Sequence, residues 1–320
     1  MKIGLIDVDG HHFPNLAIMK LSAWHKAQGD DVEWYTGIEH YDRVYMSKVF
    51  TFTPDDYRII QADEIVKGGT GYKMYDKTLP DEIEHTSPDY SLYQGCDWYN
   101  ANVAYGFITR GCVRKCPWCI VPQKEGYIKP NEDISHILGN KKKAILMDNN
   151  ILASDYGISQ LEKIVDLKCN VDFNQGLDSR LVTDDVAKLL SKIKWIEHIR
   201  FACDDMAAIP PLLEAINKLN RYGIKNYRIF VYLLVQDVNE ANKRIEILKP
   251  LGIKPFAQPY RDFDKNIEPT QEQKEFAWYV NLKQAYNTTT WKDFNISKRR
   301  EFSIVVDERQ LSINFKLTAN

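Results

Sequence analysis

The chain has 320 residues, of which 44% are hydrophobic and 27% charged, and its net charge is −2. A chain of this length buries roughly three quarters of its unfolded surface and needs no staple, and the composition excludes a disordered or low-complexity protein. Apolar runs such as Ile229–Val235 are too short to span a bilayer, the N-terminus reaches Asp7 too soon for a secretory signal, and no global field draws in nucleic acid. The expectation is a cytoplasmic protein of one or two domains with no membrane partner.

Residues 1–72 read as alternating strand and helix. Lys2–Asp7 is an apolar strand ending in an acid, Asn15 is an N-cap, and Leu16, Met19 and Ala23 recur at helical spacing up to the stop at Gly29. Val32–Tyr35, Val44–Ser47 and Glu64–Lys67 are strand candidates, the pattern of a small parallel α/β domain. Residues 73–100, punctuated by Pro80, Pro88 and Gly95 and rich in Tyr, read as a connector. From residue 101 the alternation resumes. Strands are expected at Val103–Thr109, Ala144–Met147, Asn170–Phe173, Ile199–Ala202, Arg228–Val235 and Lys254–Gln258. The helices between them include one capped by Thr183 and one with Pro210 and Pro211 in its first turn, where prolines are tolerated. Repeated βα units imply a parallel sheet, open or curled into a barrel. A helix over 270–286 and a strand or hairpin near Phe302–Val306 complete the chain.

Three of the six cysteines fall within eight residues, in the segment Gly106–Cys119, with the spacing CxxxCxxC at Cys112, Cys116 and Cys119. In a chain without an export signal, clustered cysteines point to metal binding or catalysis. Three thiolates can hold three irons of a [4Fe-4S] cube and leave the fourth open to a ligand, whereas an electron-transfer cluster normally takes four thiolates. A structural zinc site, completed by Cys96, Cys169 or Cys203, is the alternative. Cys169 and Cys203 sit at strand ends and read as ordinary buried residues.

This segment resembles the signature of the radical S-adenosylmethionine (SAM) superfamily, which carries CxxxCxxC with an aromatic just before the third cysteine; Trp118 occupies that place. The resemblance covers residues 101–260 and implies a partial (β/α)6 TIM-type barrel. It also implies a [4Fe-4S] cluster whose open iron is chelated by SAM. One electron would cleave SAM to a 5′-deoxyadenosyl radical that takes hydrogen from a substrate. An electron donor such as flavodoxin or ferredoxin follows from the same resemblance. By location it assigns Asp148, in Asp148-Asn149-Asn150, to the SAM amino group, and places Gln175 and Arg180 near SAM. The Arg180 fork suits a carboxylate, although a turn at Asp148 and a surface ion pair at Arg180 are equally ordinary readings. Asp204 and Asp205, Gln236 and Asp237, and Tyr260 and Arg261 end later strands and are substrate-contact candidates by position alone. No clear GxIxGxxE stretch stands at the fifth strand.

Upstream, the segment from Asp9 to Pro14 contains His11 and His12 and resembles the DxHxxG loop of cobalamin-binding domains, with Pro14 in place of the Gly. Ser47 and Gly69 resemble the later Ser and Gly-Gly elements. The resemblance implies a Rossmann-type domain in which His11 ligates cobalt; a domain of the same shape without cobalamin, or vestigial, is the competing reading. The methylthiotransferases share the two-domain plan, although their RNA-binding domain needs more C-terminal length.

The expected organisation is a cobalamin-binding-like Rossmann domain over 1–72, a connector over 73–100, a radical SAM partial barrel over 101–265 and a C-terminal helix and tail over 266–320. The expected function is radical generation on an unknown substrate. A cobalamin-dependent methyltransferase and an RNA- or nucleoside-modifying enzyme, hinted at by Lys141-Lys142-Lys143 and Lys298-Arg299-Arg300, are specialised versions. A non-catalytic, metal-stabilised binding protein is the alternative of another class.

Overall fold

The computed structural model describes residues 1–10, 12–262, 265 and 267–294. His11, Lys298-Arg299-Arg300 and Phe302–Val306 lie outside the described residues. The described chain divides into two compact units, one of residues 1–106 with 135–141 and one of residues 107–134 with 142–294.

In the first unit, β1 (Lys2–Asp7), α1 (Leu16–Ala27), β2 (Asp31–Trp34), β3 (Tyr41–Ser47) and β4 (Ala62–Gly68) form a four-stranded sheet in the order β2-β1-β3-β4 with one helix. All its pairings are parallel. β1 is central and almost wholly buried, which is why its sequence, KIGLID, is apolar rather than alternating. α1 starts at Asn15, whose side chain accepts from the Ile18 amide at 3.3 Å. Its apolar face meets Ile3 and Leu5, with Trp24, Trp34 and Leu92 around them.

The expected alternation of strand and helix fails after β2. Loops carry the chain from β2 to β3 and from β3 to β4, so the second face of the sheet has no helix among the described residues. Tyrosines and side chains from the loops cover it: Tyr35, Tyr41 and Met46 pack with Ile60 and Tyr72. Residues 73–100 lie within this unit, with a short α-helix, α2 (Asp81–Glu84), and a 3-10 turn at Tyr90–Tyr93. The unit also includes the strand β5 (Val103–Gly106).

The second unit opens with a short antiparallel pair, β6 (Thr109–Arg110) and β7 (Lys129–Pro130), which brackets the cysteine segment and the helical turn α3 (Val121–Lys124). Sequence periodicity does not reveal so short a pair, and the single strand expected over Val103–Thr109 is in fact broken at Phe107 and Ile108. After α4 (Ile134–Leu138), the βα series runs β8 (Lys143–Leu146), α5 (Asp155–Leu167), β9 (Asn170–Phe173), α6 (Asp184–Lys192) and β10 (Lys194–Trp195). It continues with β11 (Ile199–Ala202), α7 (Ile209–Arg221), β12 (Ile229–Val235), α8 (Val238–Leu248) and β13 (Lys254–Pro259). Two helices, α9 (Gln271–Asn281) and α10 (Lys283–Thr288), follow.

The strands pair in parallel as β8-β9-β10 and β11-β12-β13. One parallel bridge, Leu177 with Phe201, joins the chain after β9 to β11. The fold is therefore mixed α/β with parallel sheets, as expected, and hydrogen bonds close no barrel among the described residues. The caps read from sequence are present: Thr183 accepts from the Val186 amide at 3.2 Å, and Pro210 and Pro211 sit in the first turn of α7.

Between β9 and β11 the sheet buries a charge pair. Arg200 donates Nε and Nη2 to the two oxygens of Asp172 at 2.7 and 2.6 Å, and its guanidinium lies 4.8 Å from the centre of the Phe230 ring. The fork geometry offsets the desolvation of both charges. Asp172→Ala should therefore strand a buried cation and destabilise the chain by about 3–5 kcal/mol, while the paired change Asp172→Leu with Arg200→Met should cost far less. Urea unfolding of the two variants checks this.

Candidate functional site

The three cysteines share one loop, and the loop is tied at its base. The Cys112 amide donates to the Gly126 carbonyl at 3.2 Å, and the Gly111 amide donates to Glu125 Oε2 at 2.9 Å. Gly111 has φ +83°, and a Cβ there would come within 2.5 Å of the Tyr127 carbonyl, so the two arms of the loop approach as only glycine allows. Within the loop, the Cys119 amide donates to the Cys116 carbonyl at 3.0 Å, and the Cys112 sulfur accepts from the Arg114 amide at 3.3 Å. Cys112 and Cys116 are half-buried and Cys119 is exposed. No group of three His, Cys, Asp or Glu side chains able to hold a single metal ion occurs among the described residues.

Burial pushes the half-buried Cys116 up from the ordinary thiol range, partly countered by the Arg180 charge. A nucleophilic cysteine needs the opposite shift. Thiols held protonated by burial become ligands when a cationic metal supplies the missing charge.

Asp148, assigned by resemblance to the SAM amino group, is fully buried and occupied. It accepts from the Ile108 amide at 3.2 Å, the Thr109 amide at 2.5 Å and the Thr109 hydroxyl at 2.7 Å. Burial raises it to about 6 despite those three bonds. Two residues further on, Asn150 is 3% exposed and donates Nδ2 to the Cys112 sulfur at 3.5 Å and to Asp178 Oδ2 at 3.3 Å. Its Oδ1 is buried without a hydrogen-bond partner among the described residues. An orphaned acceptor beside a candidate iron ligand suits an incoming N–H donor, since a buried polar atom left unpaired costs free energy. Sequence reasoning passed over Asn150 because an Asn after a strand is ordinary turn chemistry.

Asp178 gathers both neighbouring arginines. Arg180 donates Nε and Nη2 to it at 2.6 and 3.1 Å, and Arg114 donates Nε at 2.9 Å. Burial pushes Asp178 up, but the bonds from Arg180 and Arg114 outweigh it and hold the carboxyl below the usual range. Arg180 is exposed, and Gln175 is half-buried with Nε2 3.5 Å from Asn174 Oδ1. Trp118 is half-buried, and its indole lies near Asp204, just past the end of β11, where it favours the charged carboxylate. Burial keeps Asp204 above the ordinary carboxylate range, against the pull of Arg244 and Trp118.

Other strand-end candidates have local roles. Asp205 and Asp237 cap helical turns, accepting from the Ala208 and Glu240 amides at 2.9 and 2.8 Å. The Gln236 carbonyl accepts from Gln273 at 2.7 Å, Arg261 pairs with Glu268, and the Tyr260 amide donates to the Val235 carbonyl at 3.0 Å.

In the first unit, the elements compared with a cobalamin site are already engaged. Ser47 is buried and exchanges bonds with Asn15, accepting from Nδ2 at 2.9 Å and donating to Oδ1 at 3.3 Å. Asp7, held above its ordinary range by burial, accepts from the same Asn15 at 3.3 Å and from Tyr93 at 3.0 Å. Asp9 accepts from the Val49 and Phe50 amides and the Thr53 hydroxyl, and so organises the loop after β3. Gly69 has φ +101°, and a Cβ there would fall 2.3 Å from the Lys48 carbonyl. The crevice between the ends of β1 and β3, where the strand order reverses and ligands enter such sheets, is filled by this chain's own side chains. Of the basic run, Lys141 donates to the Ala101 carbonyl at 2.6 Å and lies 4.1 Å from the centre of the Tyr90 ring.

No family model matches the chain. Ribosomal protein uS12 methylthiotransferase RimO of Colwellia psychrerythraea is 26% identical over 172 residues, 48% of this chain and 36% of the relative. Two solved structures of the cobalamin-dependent S-adenosylmethionine radical enzyme OxsB are similar at 11% identity, each covering 91% of this chain and 56% of theirs. The TM-score is 0.49 with aqua-cobalamin and S-adenosylmethionine bound and 0.35 with aqua-cobalamin. The chain thus spans about a third of the curated relative and just over half of the solved chains. The likeness to the methylthiotransferase, over about half of this chain, agrees with the radical SAM resemblance of the cysteine segment. No described helix is long and apolar enough to cross a membrane.

The environment of Asp148 has a pH consequence. Its folded value lies above that of the unfolded chain, so ionisation in the folded state is penalised. The stability it contributes is fully present below about pH 4 and is lost as pH rises through about 6, a change of about 2–3 kcal/mol. Relative to Asp148→Asn, the wild-type chain should lose stability over that window, as read from urea unfolding at several pH values.

Proposed function

We propose that the chain is a radical SAM enzyme whose cysteines 112, 116 and 119 hold a [4Fe-4S] cluster. The observation that carries this reading is the tied CxxxCxxC loop with the orphaned Asn150 Oδ1 beside Cys112. With SAM bound, such a cluster supplies one-electron cleavage to methionine and a 5′-deoxyadenosyl radical, which takes hydrogen from a substrate; the hard chemistry belongs to the cofactor.

The chain's own residues position and enclose. Asn150 offers Oδ1 to the SAM ammonium, the role first assigned to Asp148. Asp148 instead holds the strand that leads into the loop. Arg180, gathered with Arg114 on Asp178, presents a cationic group near Cys116 for the SAM carboxylate. Trp118 stands near Asp204 at the end of β11. A one-electron donor such as flavodoxin or ferredoxin feeds the cluster in a cytoplasmic setting.

The reading does not include cobalamin, because Ser47 and Gly69 are engaged within their own unit. Hydroxocobalamin added to the purified chain should leave the corrin spectrum unchanged; a shift on mixing would restore the methyltransferase reading.

Anaerobic reconstitution with iron and sulfide, followed by dithionite and SAM, should yield 5′-deoxyadenosine, and Cys112→Ala, Cys116→Ala or Cys119→Ala should abolish it. Asn150→Ala should weaken SAM binding by about tenfold, the loss of one buried bond to a charged group. Zinc near one equivalent without iron or sulfide in anaerobically purified protein would instead identify a metal-stabilised binding module.

A further inference from the structure

Four successive residues ahead of the first cysteine are each held by a carboxylate. Asp148 takes the amides of Ile108 and Thr109, and Glu125 takes the Arg110 guanidinium and the Gly111 amide. Glu125 goes further than Asp148, because its oxygens tie three separate stretches of chain. Oε1 accepts from Arg110 Nη1 at 3.2 Å, while Oε2 accepts from the Gly111 amide and from Asn149 Nδ2, both at 2.9 Å. Its own backbone ends the turn α3 on the far arm of the cysteine loop, and its side chain is only 10% exposed. One side chain therefore joins the arm before Cys112, the arm after Cys119 and the segment beyond β8. Asn149 leads directly to Asn150, whose side chain contacts the Cys112 sulfur.

We infer that Glu125 is the positioning residue of the cysteine loop: it sets the spacing of the three thiols and their register against Asn150. The inference rests on the cluster-binding reading above. The physical reason is loop closure. Residues 111–125 form a loop whose ends must be held before its thiols can share one ligand, and closing it costs entropy. A carboxylate accepting bonds from a guanidinium and a backbone amide is a strong closure, because charge-assisted bonds are roughly twice as strong as neutral ones. Glutamine at this position keeps the shape but presents one amino group to partners that are all donors.

The test uses the purified chain, loaded anaerobically with limiting iron and sulfide, with Glu125→Gln, Asn149→Ala and the double variant. Three quantities are read: iron retained per chain, the electron paramagnetic resonance spectrum of the reduced protein with and without SAM, and the unfolding midpoint of the unloaded chain. Glu125→Gln should retain iron about tenfold more weakly, and the iron it does retain should lose the spectral change that SAM causes in the wild type. Asn149→Ala should weaken retention about threefold. The double variant should be no worse than Glu125→Gln, because both changes break the same junction. If Glu125→Gln fails to fold, Asn149→Ala alone decides: wild-type retention and an unchanged SAM response overturn the inference. A folded Glu125→Gln that loads and responds like the wild type overturns it while leaving the cluster reading intact. A wild-type chain that takes up no iron at all defeats the cluster reading, and the inference with it.

Discussion

The candidate site depends on the closure of one loop. Three thiols on a flexible segment are merely three thiols; held at fixed separation they are a ligand set. Here the segment is fastened by the Cys112 amide on the Gly126 carbonyl, by Glu125 on Gly111, and by the short β6–β7 pair. Asp148 anchors the approach to that closure from the end of β8. Carboxylates that might be taken for catalytic groups thus act on the backbone that carries the ligands. The division of labour is clear in the Asp148–Asn150 stretch, where adjacent residues face an anchoring strand, a loop junction and a sulfur in turn.

Much of this was legible in the sequence, for identifiable reasons. The cysteine spacing is covalent information and needs no fold. The strands of the second unit are apolar and flanked by capped helices, so β9 and β11 fall at the predicted residues and β12 within one residue of them. What was not legible is contact made at a distance. Asp148 reads as a ligand residue from its place after a strand; only the fold shows Thr109 within reach of it. Glu125 carries no signal at all in sequence, being one glutamate after a short amphipathic turn. Asn150 looks like turn chemistry until its amide is seen against Cys112.

The first unit shows the opposite kind of error. Its parallel sheet was predictable, because β1 is apolar on both faces and α1 has a clean cap. The expected helical crossovers were not built. Tyrosines take their place, with Tyr35, Tyr41 and Tyr72 covering a face that a second helix would otherwise bury. The motif fragments at Ser47 and Gly69 are real residues in the expected places, but they serve the unit's own packing. Asn15, read only as a cap, is the residue that closes the crevice.

The junction at Glu125 also orders events in time. Its partners are spread from Arg110 to Asn149, and the neighbouring network reaches Asp178 and Arg180. A chain emerging from the ribosome therefore presents all three cysteines before it has made the residues that hold them in place, and domains synthesised N-terminal first fold as they appear. The thiols pass through an interval in which they are exposed and unarranged, open to oxidation or to a stray metal. On the cluster-binding reading proposed above, loading with iron and sulfide would follow that interval, as a step of maturation on an already folded second unit.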